Sequence, residues 1–366
     1  MSTLIIFSVL HLLISLVCGA PLAPALYVFG DSLFDSGNNN ILPTLSKANF
    51  KPYGVDFGEG DTGRFTNGRL VPDFIAEFLG LPYPPPRISI RTSTPVTGLN
   101  YASASCGILP ETGKSLGKCL SLDDQIDLFQ RTVKSGLPNH FGGPNELMEY
   151  LSKSIFVVCI GSNDYLSDTS KNYTPQEFAH LLLDKLSLHF QVSLSLSLSH
   201  THTHNYSEFP IGRLYNLGAR KVVVLEIGPI GCIPSVTRKI KHNGKCAEEL
   251  NELVSYFNDN LLGMLQNLTS TLPNSIFAPG HAYWLGYDAI MNPSKYGLLD
   301  TSNPCCKTWA NGTSACIPKL KPCPNRDQHY FFDGYHLTES VYSVFASHCI
   351  NDRSVCSPTL KELVQM

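Results

Sequence analysis

The sequence predicts an α/β fold in which a parallel sheet lies between layers of helices. The first observation is a set of three apolar runs, "ALYVFG" (Ala25 to Gly30), "SIFVVCIG" (Ser154 to Gly161) and "RKVVVLEIG" (Arg220 to Gly228). Successive strand residues face opposite sides of a sheet, so a run without polar alternation is covered on both faces, as parallel strands are. The second observation is the set of amphipathic segments between and after those runs: "VPDFIAEFLG", "SLDDQIDLFQRTV", "TPQEFAHLLLDKLSLHF" and "CAEELNELVSYFNDNLLGMLQNL". Strands alternating with helices give a three-layer domain around a parallel sheet.

Taken in chain order, the first segment stands apart. "LIIFSVLHLLISLVCGA" is an apolar run that ends in the small residues Gly19 and Ala20. It reads as a signal peptide over residues 1–20, leaving 21–366 as a single secreted domain. The run is short for a membrane anchor and carries His11, and no other segment is long and apolar enough to span a bilayer. The helix expected at Thr174 has a full start signal: Thr174 as N-cap, Pro175 at the first helical position and Glu177 closing a capping box. The last helical pattern is "TESVYSVFASH" near the C-terminus.

Residues 192–212, "VSLSLSLSHTHTHNYSEFPIG", break the pattern. Period-two alternation can read as a strand, and His200, His202 and His204 as a metal-binding tract. Neither is preferred. Alternating Ser and Leu, then His and Thr, is what simple dinucleotide repeats encode. Removing the segment leaves a helix that runs through a glycine into the third apolar run. A repeat-like insertion forming a surface loop is expected, of intronic or repeat origin, and transcripts that all carry it would exclude the intronic source.

The 366 residues are 43% apolar and 16% charged, too apolar for a disordered chain. A net charge of −3 calls for no nucleic acid and no anionic membrane surface. Of twelve cysteines, Cys18 leaves with the signal peptide, so eleven remain and at least one has no intramolecular partner. Cys159, inside a strand-like run, is the expected free thiol. Cys106 with Cys119 and Cys232 with Cys246 flank short loops and are candidate local pairs. Cys305, Cys306, Cys316 and Cys323 cluster in a Pro- and Asn-rich stretch, where secretion favours loop-pinning disulfides over zinc; their connectivity stays open. Asn172, Asn205, Asn267 and Asn311 head glycosylation sequons. No metal-ligand spacing stands outside the repeat, so no cofactor is expected. A monomer is expected.

Two of the apolar runs end in polar loops of similar kind, Gly30-Asp31-Ser32 and Gly161-Ser162-Asn163-Asp164. In open α/β sheets ligands bind outside the carboxyl ends of strands, so these loops are expected to share one crevice. A nucleophilic serine there needs a base, a group to orient the base and donors for an oxyanion. "FFDGYHLTES" supplies Asp333 and His336, three apart, at a loop-to-helix junction. Phe34, Leu109 and Phe332 are candidates to line an acyl pocket, although core packing is the commoner role of such residues.

With those pieces in order, the sequence resembles the GDSL esterase/lipases, the plant secreted branch in particular. "FGDSLFDSGNNN" looks like the family's first block and "NYASASCGIL" (Asn100 to Leu109) is similar to its second. "IGSNDY" (Ile160 to Tyr165) matches Gly-x-Asn-Asp, "FFDGYHLTE" (Phe331 to Glu339) matches Asp-x-x-His, and "LGARKVVVLEIGPIGCIP" and "NPCC" fit the plant branch. The resemblance runs from Ala25 to about Cys356, residues 192–212 excepted. It implies a flavodoxin-like α/β/α sandwich with Ser32 as nucleophile, His336 as base and Asp333 orienting it. It also implies an oxyanion hole of the Ser32 N–H, the Gly107 N–H and the Asn163 amide. Ala104 departs from the glycine that many plant members carry there. The Gly-x-Ser-x-Gly elbow of other α/β-hydrolases is absent. The expected function is that of a secreted serine esterase/lipase, in the cell wall or apoplast, acting on small or polymeric esters with an apolar acyl group. An acyltransferase using the same acyl-enzyme, and a catalytically dead secreted lipid- or glycan-binding protein, are the alternatives.

Overall fold

The computed structural model describes residues 20–190 and 213–366. The expected signal peptide up to residue 19, the segment 192–212 and Asn205 lie outside the described residues. The central sheet holds β1 (Leu26–Gly30), β2 (Gly98–Asn100), β3 (Ile155–Cys159), β4 (Lys221–Leu225) and β5 (Ile276–Gly280). Their order is β2-β1-β3-β4-β5, and each pairing is parallel. This is the flavodoxin-like order.

The main helices are α1 (Val71–Leu79), α2 (Leu122–Arg131), α3 (Pro144–Lys153), α4 (Ser162–Leu166), α5 (Pro175–Phe190), α6 (Glu248–Thr271), α7 (Ala282–Met291) and α8 (Glu339–Asn351). They cover both faces of the sheet because the strands are apolar on both. Tyr27, Phe29, Phe156, Val158 and Val224 point to one side, where α2, α3, α5 and α6 pack. Leu26, Val28, Val157 and Val223 point to the other, against α1 and α8. All five residues of β1 and of β3 are buried. Burying a large aliphatic or aromatic side chain is worth about 1.5–3 kcal/mol, so these two strands anchor the sandwich. The result is the three-layer α/β/α sandwich expected from the sequence.

Local signals account for several element ends. Gly80 closes α1 at φ 71°, in the left-handed region. At the start of α5 the Glu177 carboxylate accepts from the Thr174 N–H at 2.9 Å, and the Glu177 N–H donates to Thr174 Oγ1 at 3.3 Å. A second, two-stranded sheet pairs β6 (Asp300–Pro304) with β7 (His329–Phe331) and delivers the chain to the loop that holds Asp333 and His336.

The disulfides pair Cys106 with Cys119 and Cys232 with Cys246, as expected, and join Cys349 to Cys356. In the cysteine cluster Cys305 bonds Cys323 and Cys306 bonds Cys316. Among the described residues Cys159 is the free thiol, and it is buried. Among the described residues no helix is long and apolar enough to cross a membrane. Asn172, Asn267 and Asn311 are exposed.

Candidate active site

The chain leaves β1 through Gly30, where a Cβ would lie 2.4 Å from the Cys159 carbonyl oxygen of β3. Only glycine lets the two strands meet this closely. The Asp31 N–H then donates to that carbonyl at 3.1 Å, and Asp31 Oδ1 accepts from the Leu33 N–H at 2.9 Å. The aspartate so closes a tight turn on itself, with Ser32 at its tip. From α2, Gln125 clamps the same point: Oε1 accepts from the Gly30 N–H at 2.9 Å, and Nε2 donates to the Gly30 carbonyl at 2.8 Å.

The polar residues after Ser32 bind the turn to the chain leaving β2. Asp35 accepts from the Gly37, Asn38 and Ala104 N–H groups at 2.7, 2.7 and 3.1 Å. Asn38 donates to the Asn100 and Ala102 carbonyls, and Asn39 to those of Ser46 and Ala104. Buried backbone groups must find partners, and these side chains supply them where the chain is in neither strand nor helix.

His336 arrives from the other end of the chain. After β7 the Phe332 N–H donates to the His336 carbonyl at 2.7 Å, which folds residues 332–336 into a compact loop. Inside it, Asp333 Oδ1 accepts from the Tyr335 and His336 N–H groups at 2.8 and 2.7 Å. His336 Nδ1 lies 2.9 and 2.8 Å from the two Asp333 oxygens, and Nε2 lies 2.8 Å from Ser32 Oγ. The Phe65 ring packs on the imidazole, with centroids 4.9 Å apart. Asp333 is fully buried. Burial alone would raise its ionisation, but the attraction of His336, the hydrogen bonds from His336 and Tyr53 and the Tyr335 N–H hold it below the ordinary carboxylate range.

The third loop follows β3. Asn163, on α4, donates one amide hydrogen to the Cys106 carbonyl at 3.0 Å, leaving its second free. Its neighbour Asp164 is buried and turned away from Ser32. It accepts from the Ile108 and Leu109 N–H groups at 2.8 and 3.0 Å and from Thr112 Oγ1 at 2.7 Å. Burial pushes the Asp164 carboxyl up to about 6 against these donors. Gly107 lies directly on this carboxylate, where a Cβ would sit 2.2 Å from Asp164 Oδ2.

Ser32, His336 and Asn163 share one cavity of about 860 Å³, with mainly apolar walls that include Leu225, Ile230 and Phe345. Phe34 lines it, whereas Leu109 and Phe332 are buried in the core away from it. Ala104 and Ser105 represent the second block on its wall, and Gly107 does not reach it. Ser105 holds a left-handed backbone at φ 69°. The N–H groups of Ser32, Ser105 and Gly107 donate to no protein acceptor among the described residues.

The sequence profile of the GDSL-like lipases and acylhydrolases matches residues 26–349. This chain belongs to that family. GDSL esterase/lipase 7 of Arabidopsis thaliana is 41% identical over 339 residues, which are 89% of this chain and 87% of that protein. Two further GDSL esterase/lipases of Arabidopsis thaliana are 39% identical over 355 residues and 36% identical over 352. They share 94% and 92% of this chain, each with 86% of its own length. Membership in the GDSL family sets the reaction class as carboxylic ester hydrolysis.

Three residues at this GDSL site were not singled out from sequence: Gln125, Asp164 and Tyr53. Asp164 stands inside a recognised block, and its position beside Asn163 was the available signal. Gln125 and Tyr53 carry no local signal for the site, because the site groups they meet, Gly30 and Asp333, are far away in the chain. Tyr53 is fully buried; its hydroxyl donates to Asp333 Oδ2 at 2.5 Å and accepts from the Cys316 N–H at 3.1 Å.

Proposed function

We propose that this chain is a secreted serine esterase in which Ser32, His336 and Asp333 form a catalytic triad working through an acyl-enzyme. In this reading residues 1–20 are removed, residues 21–366 act as one domain, and the exposed sequons carry glycans outside the cell. The observation that carries it is the contact chain from Ser32 Oγ to His336 Nε2 at 2.8 Å and from Nδ1 to the buried Asp333 carboxylate. Neutral His336 takes the Ser32 proton as Oγ adds to the ester carbonyl carbon. Asp333 fixes the Nδ1–H tautomer and steadies the imidazolium that forms.

The carbonyl oxygen, now negative, is met by the Ser32 N–H and the free hydrogen of the Asn163 amide. For the remaining donor, the Ser105 N–H is preferred to that of Gly107 because Ser105 lines the cavity. These donors stand ready before the charge develops, which is what lowers the barrier. The intermediate collapses as His336 returns its proton to the leaving alcohol. Water then enters, His336 deprotonates it, and the acyl group leaves as the acid. The apolar wall accounts for a preference for an apolar acyl chain.

The experiment is labelling and substitution. An active-site phosphonate should modify Ser32 alone, and Ser32→Ala should lose on the order of 10⁴ to 10⁶ in turnover while staying folded. Labelling of another serine, or activity retained in Ser32→Ala, would overturn the assignment. If added alcohol captures the acyl group in preference to water, the protein is an acyltransferase by the same intermediate.

A further inference from the structure

We propose that Tyr53 is a positioning residue of the triad, acting on His336 through Asp333. The inference rests on the triad reading above.

Tyr53 comes from the loop between β1 and α1, far in sequence from both groups its hydroxyl meets. A phenol can donate one hydrogen bond and accept others. The Cys316 N–H is a donor only, so at 3.1 Å it takes an acceptor site on Tyr53 Oη and leaves the phenol proton for another partner. That partner is Asp333 Oδ2, at 2.5 Å. An ionised carboxylate only accepts, so the direction of each bond is fixed: Cys316 N–H to Tyr53 Oη, Tyr53 O–H to Asp333, and His336 Nδ1–H to Asp333. Burial, followed by the negative charge of Asp333, raises the Tyr53 pKa well above its ordinary value, which keeps the proton in place.

The environment holds this geometry. Tyr53 is clasped by Phe332 and Phe65, with ring centroids 5.7 and 5.9 Å away, and Phe65 also packs on His336. Cys316 is fixed by its disulfide to Cys306. The cysteine-rich loop therefore reaches the catalytic carboxylate through a single phenol.

The effect on His336 has a definite sign. A donor on Asp333 Oδ2 draws off part of the negative charge that stabilises the imidazolium. Removing it leaves a stronger anion beside His336, so the histidine holds its proton to higher pH. The Tyr335 and His336 N–H groups still hold Oδ1 beside Nδ1, so what is lost is the fixed orientation of the second oxygen. Tyr53→Phe should therefore move the acid limb of the pH–rate profile upward by about half a unit or more. It should lower kcat roughly tenfold, the scale of a hydrogen bond to a charged group, with KM little changed.

The other groups around the dyad are Asp31, Tyr335 and Tyr342. Burial carries Asp31 up to about 7, and the ionisations of both tyrosines are raised. Of these three, Asp31 lies nearest the limb; the buried Asp35 and Asp164, both carried up to about 6, are unchanged in every variant, so the comparison is repeated with Asp31→Asn in both backgrounds.

The deciding experiment pairs Tyr53→Phe with 3-fluorotyrosine at position 53, which keeps the shape and strengthens the donor. The His336 ring protons are titrated by NMR alongside kcat and KM, so the result does not depend on the ester chosen. The titration should move up in Tyr53→Phe and down in the fluorinated protein. If Tyr53→Phe does not fold, the downward move in the fluorinated protein carries the test alone. An unmoved titration in folded protein would overturn the proposal and leave Tyr53 as packing. Failure of Ser32 labelling, by contrast, would remove the triad reading itself.

Discussion

Asp164 holds the Ile108 N–H at 2.8 Å, and through it the segment Asn100 to Leu109 is tied to the helix that carries Asn163. The carboxylate is buried and serves three donors at once. It catalyses nothing by contact, yet it sets the spacing between two walls of the cavity.

Asp164→Ala should therefore harm stability and turnover together. It leaves two backbone N–H groups and the Thr112 hydroxyl without a partner, at a cost on the order of 2–4 kcal/mol. Urea unfolding measures the loss. A midpoint equal to that of the wild type would show that the loop finds other acceptors.

Asn163→Ala should behave differently. In the proposed oxyanion hole its free amide hydrogen meets an oxygen that gains charge only in the transition state, so turnover should fall by roughly 10² to 10³ with little change in KM. Asn163→Asp should be at least as damaging, because a carboxylate repels the oxyanion. Steady-state kinetics with thermal unfolding decides the matter: normal turnover in folded Asn163→Ala would take Asn163 out of the oxyanion hole.

Asp31 predicts how stability varies with pH. Burial pushes its carboxyl to about 7, against the Leu33 N–H bond and the charge of His336, and its Oδ2 has no partner. The folded state therefore keeps a proton that the unfolded chain releases near pH ~3.9. Between those values the folded form binds more protons, so this group costs stability as pH rises from about 4 to about 7. The sign is opposite for Asp333, whose lowered ionisation contributes stability that is lost on acidification. Asp31→Asn keeps the acceptor for Leu33 and removes the charge. Its advantage over the wild type should be absent near pH 4 and grow to on the order of 2–4 kcal/mol above pH ~7. Melting curves of both proteins across that range test it; a difference that does not vary with pH would refute the account.

Some of this molecule could be read from its residues and some could not. β1, β3 and β4 announced themselves as unbroken apolar runs ending in glycine, and the loops after β1 and β3 do meet at one cavity. β2 and β5 did not. β2 is only three residues long, and β5 contains Pro279, which is tolerated because β5 lies at the sheet edge. α3 was likewise not singled out. That Ser32, Asn163 and His336 come together at one cavity, with Asp333 behind His336, was legible because each sits in a short block with its own turn chemistry. Gln125 and Tyr53 were not, since the Tyr53–Asp333 contact joins residues 280 apart and nothing near either one encodes the other. Gly107 shows the limit of a block match: the glycine is required, but by the Asp164 carboxylate pressed on its Cα.

In the proposed triad, base and orienting acid share one five-residue loop late in the chain, while the nucleophile follows the first strand. A ribosome releases these parts at opposite ends of synthesis. Until the last segment docks, Ser32 has no proton acceptor and is an ordinary alcohol. On this reading the growing polypeptide cannot hydrolyse an ester before its C-terminal loop docks against Ser32. Turnover by this protein reports that both ends of the chain have found each other.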